Sequence, residues 1–566
     1  MGFLKQDAPT VDFATWVQGT RSEKIRPMAC HWAEVGFGTP VVLHLFYVVK
    51  ILLYVLVGWL LALATTGIDG FTHVQDWYAA PVVFEKAVLW TMLFEVVGLG
   101  CGFGPLNNRF SPPMGSILYW LRPGTIRLPP WPTRIPLTEG DSRTPFDVGL
   151  YGALLVTLVV SLFSDASDNG LLPAWEPWAV VILVGVLGLR DKVVFLAARG
   201  EVYVTLTVAF LFAPASTVDV VIACKLVCVA IWLGAASSKL TKHFPFVIST
   251  MMSNNPVLRP RWIKRKFFED FPHDLRPGRP SRVLAHASTA VEGLVPLFLL
   301  FGHGTVLTVA AVVMLCFHFG ILSAIPMGVP LEWNVFMMFG VLSLFVGHPE
   351  IGVTDMTTPL PLLLLGVLVT TVVLGNVAPR KVSFLPGMRY YAGNWDVGLW
   401  CVKPSASAKI EANIISIASM PQSQMEKFYG SPENAMMYLY MGYAFRGFNS
   451  HGRAMFSLAH RAMADGNEDD YLLLDGERIC STALGWNFGD GHMHNEQLIA
   501  ALQKRCQFEP GEVRVVLIDA QPIHRQRQEY RIVDAATGEF ERGHVEVADL
   551  VTRQPWDDTA PVHVHA

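Results

Sequence analysis

Residues 217–256 read TVDVVIACKLVCVAIWLGAASSKLTKHFPFVISTMMSNNP. The first half is apolar for about the 20 residues that a helix needs to cross a bilayer. Lys225 stands inside that run, and Lys239, Lys242 and His243 stand at its end. At 3.6 residues per turn, positions seven apart nearly eclipse. Lys225, Trp232 and Lys239 therefore line one face, with Cys228, Ala235 and Lys242 beside it. A spanning helix with lysines on one stripe must turn that stripe toward protein or water rather than lipid. The rest of the chain is expected to supply what the stripe faces.

The bulk composition fits a membrane protein. Of 566 residues, 52% are hydrophobic and 16% charged, against about 25% charged in an average soluble domain. The mean hydropathy is +0.38. A net charge of -4 and the lack of any basic tract interleaved with aromatics exclude a nucleic-acid partner. The eight cysteines are scattered without a CxxC, and Cys224 and Cys228 read as small apolar packing residues of the span. The first strongly apolar run begins near Pro40, so no signal peptide is expected.

Outward from the quoted stretch, apolar runs recur at 40–63, 83–102, 147–164, 176–190, 193–214, 217–238, 284–302, 304–325, 332–347 and 359–376. This predicts a polytopic α-helical membrane protein of about ten spans. The fifth run is broken by Arg199, Gly200 and Glu201 and reads as an interrupted or partly interfacial helix. Loop charge orients the chain, because cytoplasmic loops carry the excess of Lys and Arg. Arg109, Arg122, Arg127, Arg134 and Arg143 mark one such loop; Arg259, Arg261, Lys264, Arg265, Lys266, Arg276, Arg279 and Arg282 mark another. Asp69, Asp76, Asp165, Asp168, Glu350 and Asp355 mark the outer side. The expectation is a multi-pass protein of the cell membrane with both termini cytoplasmic. Residues 1–39 read as a polar cytosolic lead-in and 40–378 as the membrane domain. Residues 379–566 read as a cytosolic α+β domain, large enough for its own core. In it Pro432–Ala464 and Glu496–Cys506 read helical; Tyr471–Asp475, Val513–Ile518 and Tyr530–Val533 read as strands.

Chemistry is expected where ionisable residues interrupt the spans. These are His44, Lys50, Glu95, Lys225, Glu292 and His318, with Lys239 and Glu332 at span edges. Each costs at least about 2.5–3.5 kcal/mol near the bilayer centre, so the set predicts one shared polar site. Lys239, His318 and Glu292 are the candidate catalytic residues, with Lys239 as base or anion binder and the other two handling protons. Lys225, Trp232, Glu95, Glu332, Trp333 and Asn334 are candidate substrate contacts. The last three follow the Met327–Pro330 turn, where Gly328 and Pro330 break the backbone between two spans.

The run from Trp232 to Ser238 followed by Lys239-Leu240, leading on to Glu292 and His318, resembles the horizontally transferred transmembrane domain family. Its best-known members are the vitamin K-dependent gamma-carboxylases. The resemblance covers residues 217–347 and implies that Lys239 acts in base chemistry. No second lumenal domain is expected and the tail is expected in the cytosol, so glutamate carboxylation is not carried over. The phrases HFPFVISTMMSNNP, IPMGVPLEWNVFMMFG and MRYYAGNWDVGLWC resemble a family of bacterial transmembrane proteins with a domain of unknown function. That resemblance implies the architecture alone.

In the tail, Asp490, His492 and His494 lie in a Gly-rich loop. Without further ligands at defined spacing they read as a surface turn, so no metal is assigned. The terminal His563 and His565 receive no role. No phosphate loop, nucleophile elbow or dinucleotide fingerprint is present, and no cofactor is named. The expected function is a membrane-embedded enzyme acting on a lipid-soluble substrate such as a quinone, isoprenoid or acyl lipid. The alternatives are a transporter, for which no internal repeat is found, and a scaffold whose cytosolic tail binds protein partners. Membrane lipids are expected partners throughout.

Overall fold

The computed structural model describes residues 3–4, 6–68, 73–100, 115–324, 331–382, 389–486 and 493–565. Six helices among them are long and apolar enough to cross a membrane: Val41–Leu63, Pro145–Phe163, Thr217–Ser238, Arg279–Phe301, Thr305–Leu322 and Leu360–Val377. Their starts follow local chemistry. Thr144 and Asp147 close a capping box on Pro145–Phe163, and Ser216 caps Thr217–Ser238 by accepting from the Asp219 amide at 3.3 Å. Both devices satisfy amides that a helix end leaves open.

Thr217–Ser238 is the centre of the helical part. In its most apolar stretch 89% of residues are buried, against 17% in Val41–Leu63. The first is thus wrapped by other helices, while the second offers its flank to the surroundings. Of the ten expected spans, the other four form shorter helices. They are Pro81–Val96, Trp175–Arg190, Gly200–Phe210 after a turn of helix at Lys192–Ala197, and Leu331–Gly340 running on as a π-helical Val341–Val346. The break expected at Arg199 is present: that residue is left-handed, with φ of 50°.

The connections gather at two ends. At one, the Thr66 amide donates to Asp165 at 2.7 Å, the Leu172 amide to Glu85 at 2.8 Å and the Thr357 amide to Asp219 at 2.8 Å. At the other, the basic loops meet the tail. The Trp120 indole donates to the Leu484 carbonyl at 3.0 Å, and Gln497 to the Pro129 carbonyl at 2.7 Å.

The tail carries an antiparallel six-stranded sheet. Its strands are β3 (Val397–Val402), β4 (Leu472–Asp475), β5 (Val513–Ile518), β6 (Arg527–Asp534), β7 (Gly538–Glu546) and β8 (His563–Val564), in the order β4-β3-β5-β6-β7-β8. Strands β1 (Phe268–Asp270) and β2 (Asp274–Pro277) form a separate hairpin. The expected strands and the Glu496–Cys506 helix are present, and the expected Pro432–Ala464 helix divides into Pro432–Phe448, a short 3₁₀ turn and Met455–Ala462.

Side chains alternate across the sheet, as a pleat requires. Leu399, Cys401, Val516 and Ile518 pack on one face against Trp32, Leu439, Phe448 and Leu458. Trp400, Val402, Val515 and Leu517 on the other face belong to the apolar core that continues into the membrane helices. The N-terminal segment, expected as a polar lead-in, forms the helix Arg21–Val35 with a Thr20–Glu23 capping box. That helix buries Ile25, Met28 and Trp32 in the tail core.

Candidate functional site

Four segments deliver polar side chains to one cavity of about 100 Å³. Helix Thr217–Ser238 brings Trp232 and ends at Lys239. Arg279–Phe301 brings Ser288 and Glu292, Thr305–Leu322 brings His318, and Leu331–Gly340 brings Trp333 and Asn334. Phe244, Met251 and Tyr391 complete the wall. Lys239, Glu292, His318, Asn334 and Trp232 are all buried, whereas Met251, Ser288, Phe317, Ile321 and Tyr391 are half-buried.

Two polar units meet there. The Lys239 ammonium donates to a Glu292 carboxylate oxygen, and the same ammonium lies 5.0 Å from the Phe244 ring centre, where the aromatic face favours a cation. Beside this pair, the Trp232 indole N–H donates to His318 Nε2 at 3.0 Å. Indole nitrogen is a donor only, so Nε2 accepts and the imidazole proton sits on Nδ1. From there it is donated to Asn334 Oδ1 at 2.9 Å. His318 is therefore held as one neutral tautomer with both ring nitrogens engaged.

The other expected site residues lie elsewhere, so the single shared site divides. Lys225 donates to the His348 and Ile351 carbonyls at 2.7 and 2.6 Å. It shares the stripe with Lys239 but sits about 21 Å away at 1.5 Å per residue, and there it closes the opposite end of the bundle. Glu95 and Glu332 join a second cluster. Arg199 Nε is 3.8 Å from Glu95 and Lys50 Nζ is 3.9 Å from Glu332, while Lys50 also donates to the Gly100 carbonyl at 3.2 Å. Successive helical residues point about 100° apart, which is why Glu332 turns to this cluster while Asn334 turns to His318. His44 bonds locally, its Nδ1 lying 3.1 Å from the Pro40 carbonyl oxygen.

Met327–Pro330 lie outside the described residues, as do Asp490 and His492. His494 is not on a surface turn. Its ring is buried against Gly398 and Gly476, where a Cβ at either position would meet it within 2.7 Å. Ser288, Phe244, Met251 and Tyr391 went unpredicted. Ser288 stands one helical turn from Glu292, a signal readable in the sequence; Tyr391 arrives from the tail and had none.

Two other cavities among the described residues are larger. One of about 580 Å³ opens between Thr241–Phe246 and Gln521–Val551, where Arg282 is paired with Glu269 and Arg276 with Asp274. The other, of about 300 Å³, is walled by Tyr54, Trp59, Trp77 and Trp90 and contains no ionisable pair. The Lys239–Glu292 cavity is the smallest of the three, but it alone of them joins a buried ion pair to a fixed imidazole.

No curated protein and no solved structure matches the chain, so the resemblance through Lys239 to the gamma-carboxylases is not shown. One family model matches residues 1–565, nearly the whole chain. With its spanning helices and the length of that match, this chain belongs to the family described as transmembrane protein of unknown function (DUF3556).

Proposed function

We infer that the cavity around Lys239 and Glu292 binds the reactive end of a lipid-soluble substrate — a quinone, isoprenoid or acyl lipid — and performs acid–base chemistry on it. The observation that carries this reading is the buried ion pair beside a tautomer-fixed imidazole, at a cavity lined largely by spanning helices. A void of about 100 Å³ is small beside the ~300–1,000 Å³ of pockets that enclose a whole ligand. It suits a head group, with the apolar remainder extending past Phe317 and Ile321 into lipid. In this reading the Lys239 ammonium holds a developing oxyanion and Glu292 exchanges the proton. His318, with both nitrogens occupied, is a positioning residue that sets Trp232 and Asn334.

The same reading places the chain in the cell membrane with ten traversing segments, the tail and both termini being cytoplasmic. It is supported by the gathering of basic loops at the tail end and of Asp165, Glu85 and Asp219 at the other.

Native mass spectrometry of gently purified protein, with lipid extraction, tests the site. A stoichiometric lipid-soluble molecule is expected, lost when Lys239 and Glu292 are both replaced by apolar residues. Only bulk phospholipid, unchanged by the replacement, overturns the reading and favours a scaffold whose tail binds protein partners.

A further inference from the structure

At the far edge of the tail sheet, three side chains converge from three strands. Glu529 on β6 is the cross-strand partner of His544 on β7, and His544 is in turn the partner of His563 on β8. His565, two residues on, falls on the same face as His563. His544 Nδ1 lies 2.9 Å from His565 Nε2, and that nitrogen lies 3.8 Å from Glu529 Oε2. One ligand atom from each of the three residues lies within 4.8 Å of the other two. Bond lengths of about 2.0–2.2 Å in a tetrahedral site space neighbouring ligands by about 3.3–3.6 Å, a range that the 2.9 and 3.8 Å separations bracket.

The second nitrogen or oxygen of two of these groups is already engaged. His544 Nε2 is 3.4 Å from Glu546 Oε1, the carboxylate partner that a metal-ligating imidazole usually has. Glu529 Oε1 is 3.0 Å from Arg527 Nε, which leaves Oε2 turned to the histidines. The His563 ring stacks on His544 with centres 4.8 Å apart and fixes its plane.

We propose that Glu529, His544 and His565 bind a first-row divalent cation, with zinc as the best-fitting probe. Two imidazoles and one carboxylate suit that class, and three protein ligands leave a fourth position for water. The ion ties the two-residue strand β8 to β7 and β6, closing a sheet edge that backbone pairing at two positions holds weakly.

The test uses full-length protein, stripped with chelator and carrying no histidine tag, titrated calorimetrically with zinc chloride. One ion per chain is expected. Binding disappears in His544→Ala and in Glu529→Gln/His565→Ala, and Glu546→Gln weakens it by about 10–100-fold. Zinc also slows amide exchange over residues 538–565 in the parent chain only. Absence of saturable binding, equal binding in the variants, or binding that leaves exchange at 538–565 unchanged overturns the proposal. Thermal unfolding of the metal-free variants, matching the parent, shows that the substitutions spare the fold.

Discussion

Lys239 and Glu292 lose water together when the helices pack, and each is tolerable only because the other is there. Removing one partner of a buried pair typically costs about 3–5 kcal/mol, whereas replacing both by apolar groups of similar size is often neutral. Lys239→Met is therefore expected to lower the unfolding temperature in detergent, and Lys239→Met/Glu292→Leu to recover most of the loss. The double variant then separates chemistry from stability, because it folds without the charges that the proposed function requires. Trp232→Phe deletes the N–H that His318 Nε2 accepts and strands a buried acceptor at about 1–3 kcal/mol. Its unfolding free energy should fall by about that amount, and an imidazole nitrogen NMR spectrum should show the Nε2 signal move. The composition of this site was readable in the chain. Its membership was not, because Lys225 and Lys239 share a helical stripe yet end in different surroundings.

Between the Thr217–Ser238 and Phe244–Asn254 helices, His243 joins the membrane part to the tail, its Nδ1 2.7 Å from Ser450 Oγ. Burial pushes its pKa from 6.5 down to about 4. Burial, then the neighbouring His243 and Arg446, holds that of His451 well below 6.5 as well. Both stay neutral in the fold while the unfolded chain takes up protons below about 6.5. Their stabilisation is thus complete above that pH and is lost as pH falls toward 4. Each costs up to about 1.4 kcal/mol per pH unit across that range. Unfolding midpoints at pH 7.5 and 5 should differ, and His243→Gln should flatten the difference. Element types followed local signals well: apolar length for the long helices, strand-forming runs bounded by Gly and Pro turns for β5 and β6. β3 was not expected: Val397–Val402 is buried on both faces and, like β5, shows no alternation to read.

Across the whole molecule, tail and membrane helices share one apolar core. Trp400 and Val402 of β3 belong with Leu154, Trp232 and Phe336, and the N-terminal Trp32 belongs with the tail. A chain ended after residue 378 removes the Leu484 carbonyl to which the buried Trp120 indole donates. It should therefore elute as aggregate in size-exclusion chromatography, and co-expression of residues 379–566 should restore part of the monodisperse peak. The amino-acid sequence by itself determined that this is a polytopic membrane protein and where its long helices run. Those follow from apolar length and loop charge, which are properties of contiguous residues. It also marked Lys239, Glu292 and His318, since charge in an apolar run is costly wherever it ends up. Only the tertiary structure decided that these three meet, that Glu95 and Glu332 form another cluster, and that His565 returns to His544. Each depends on helix rotation and strand pairing between residues far apart in the chain, which local sequence does not encode.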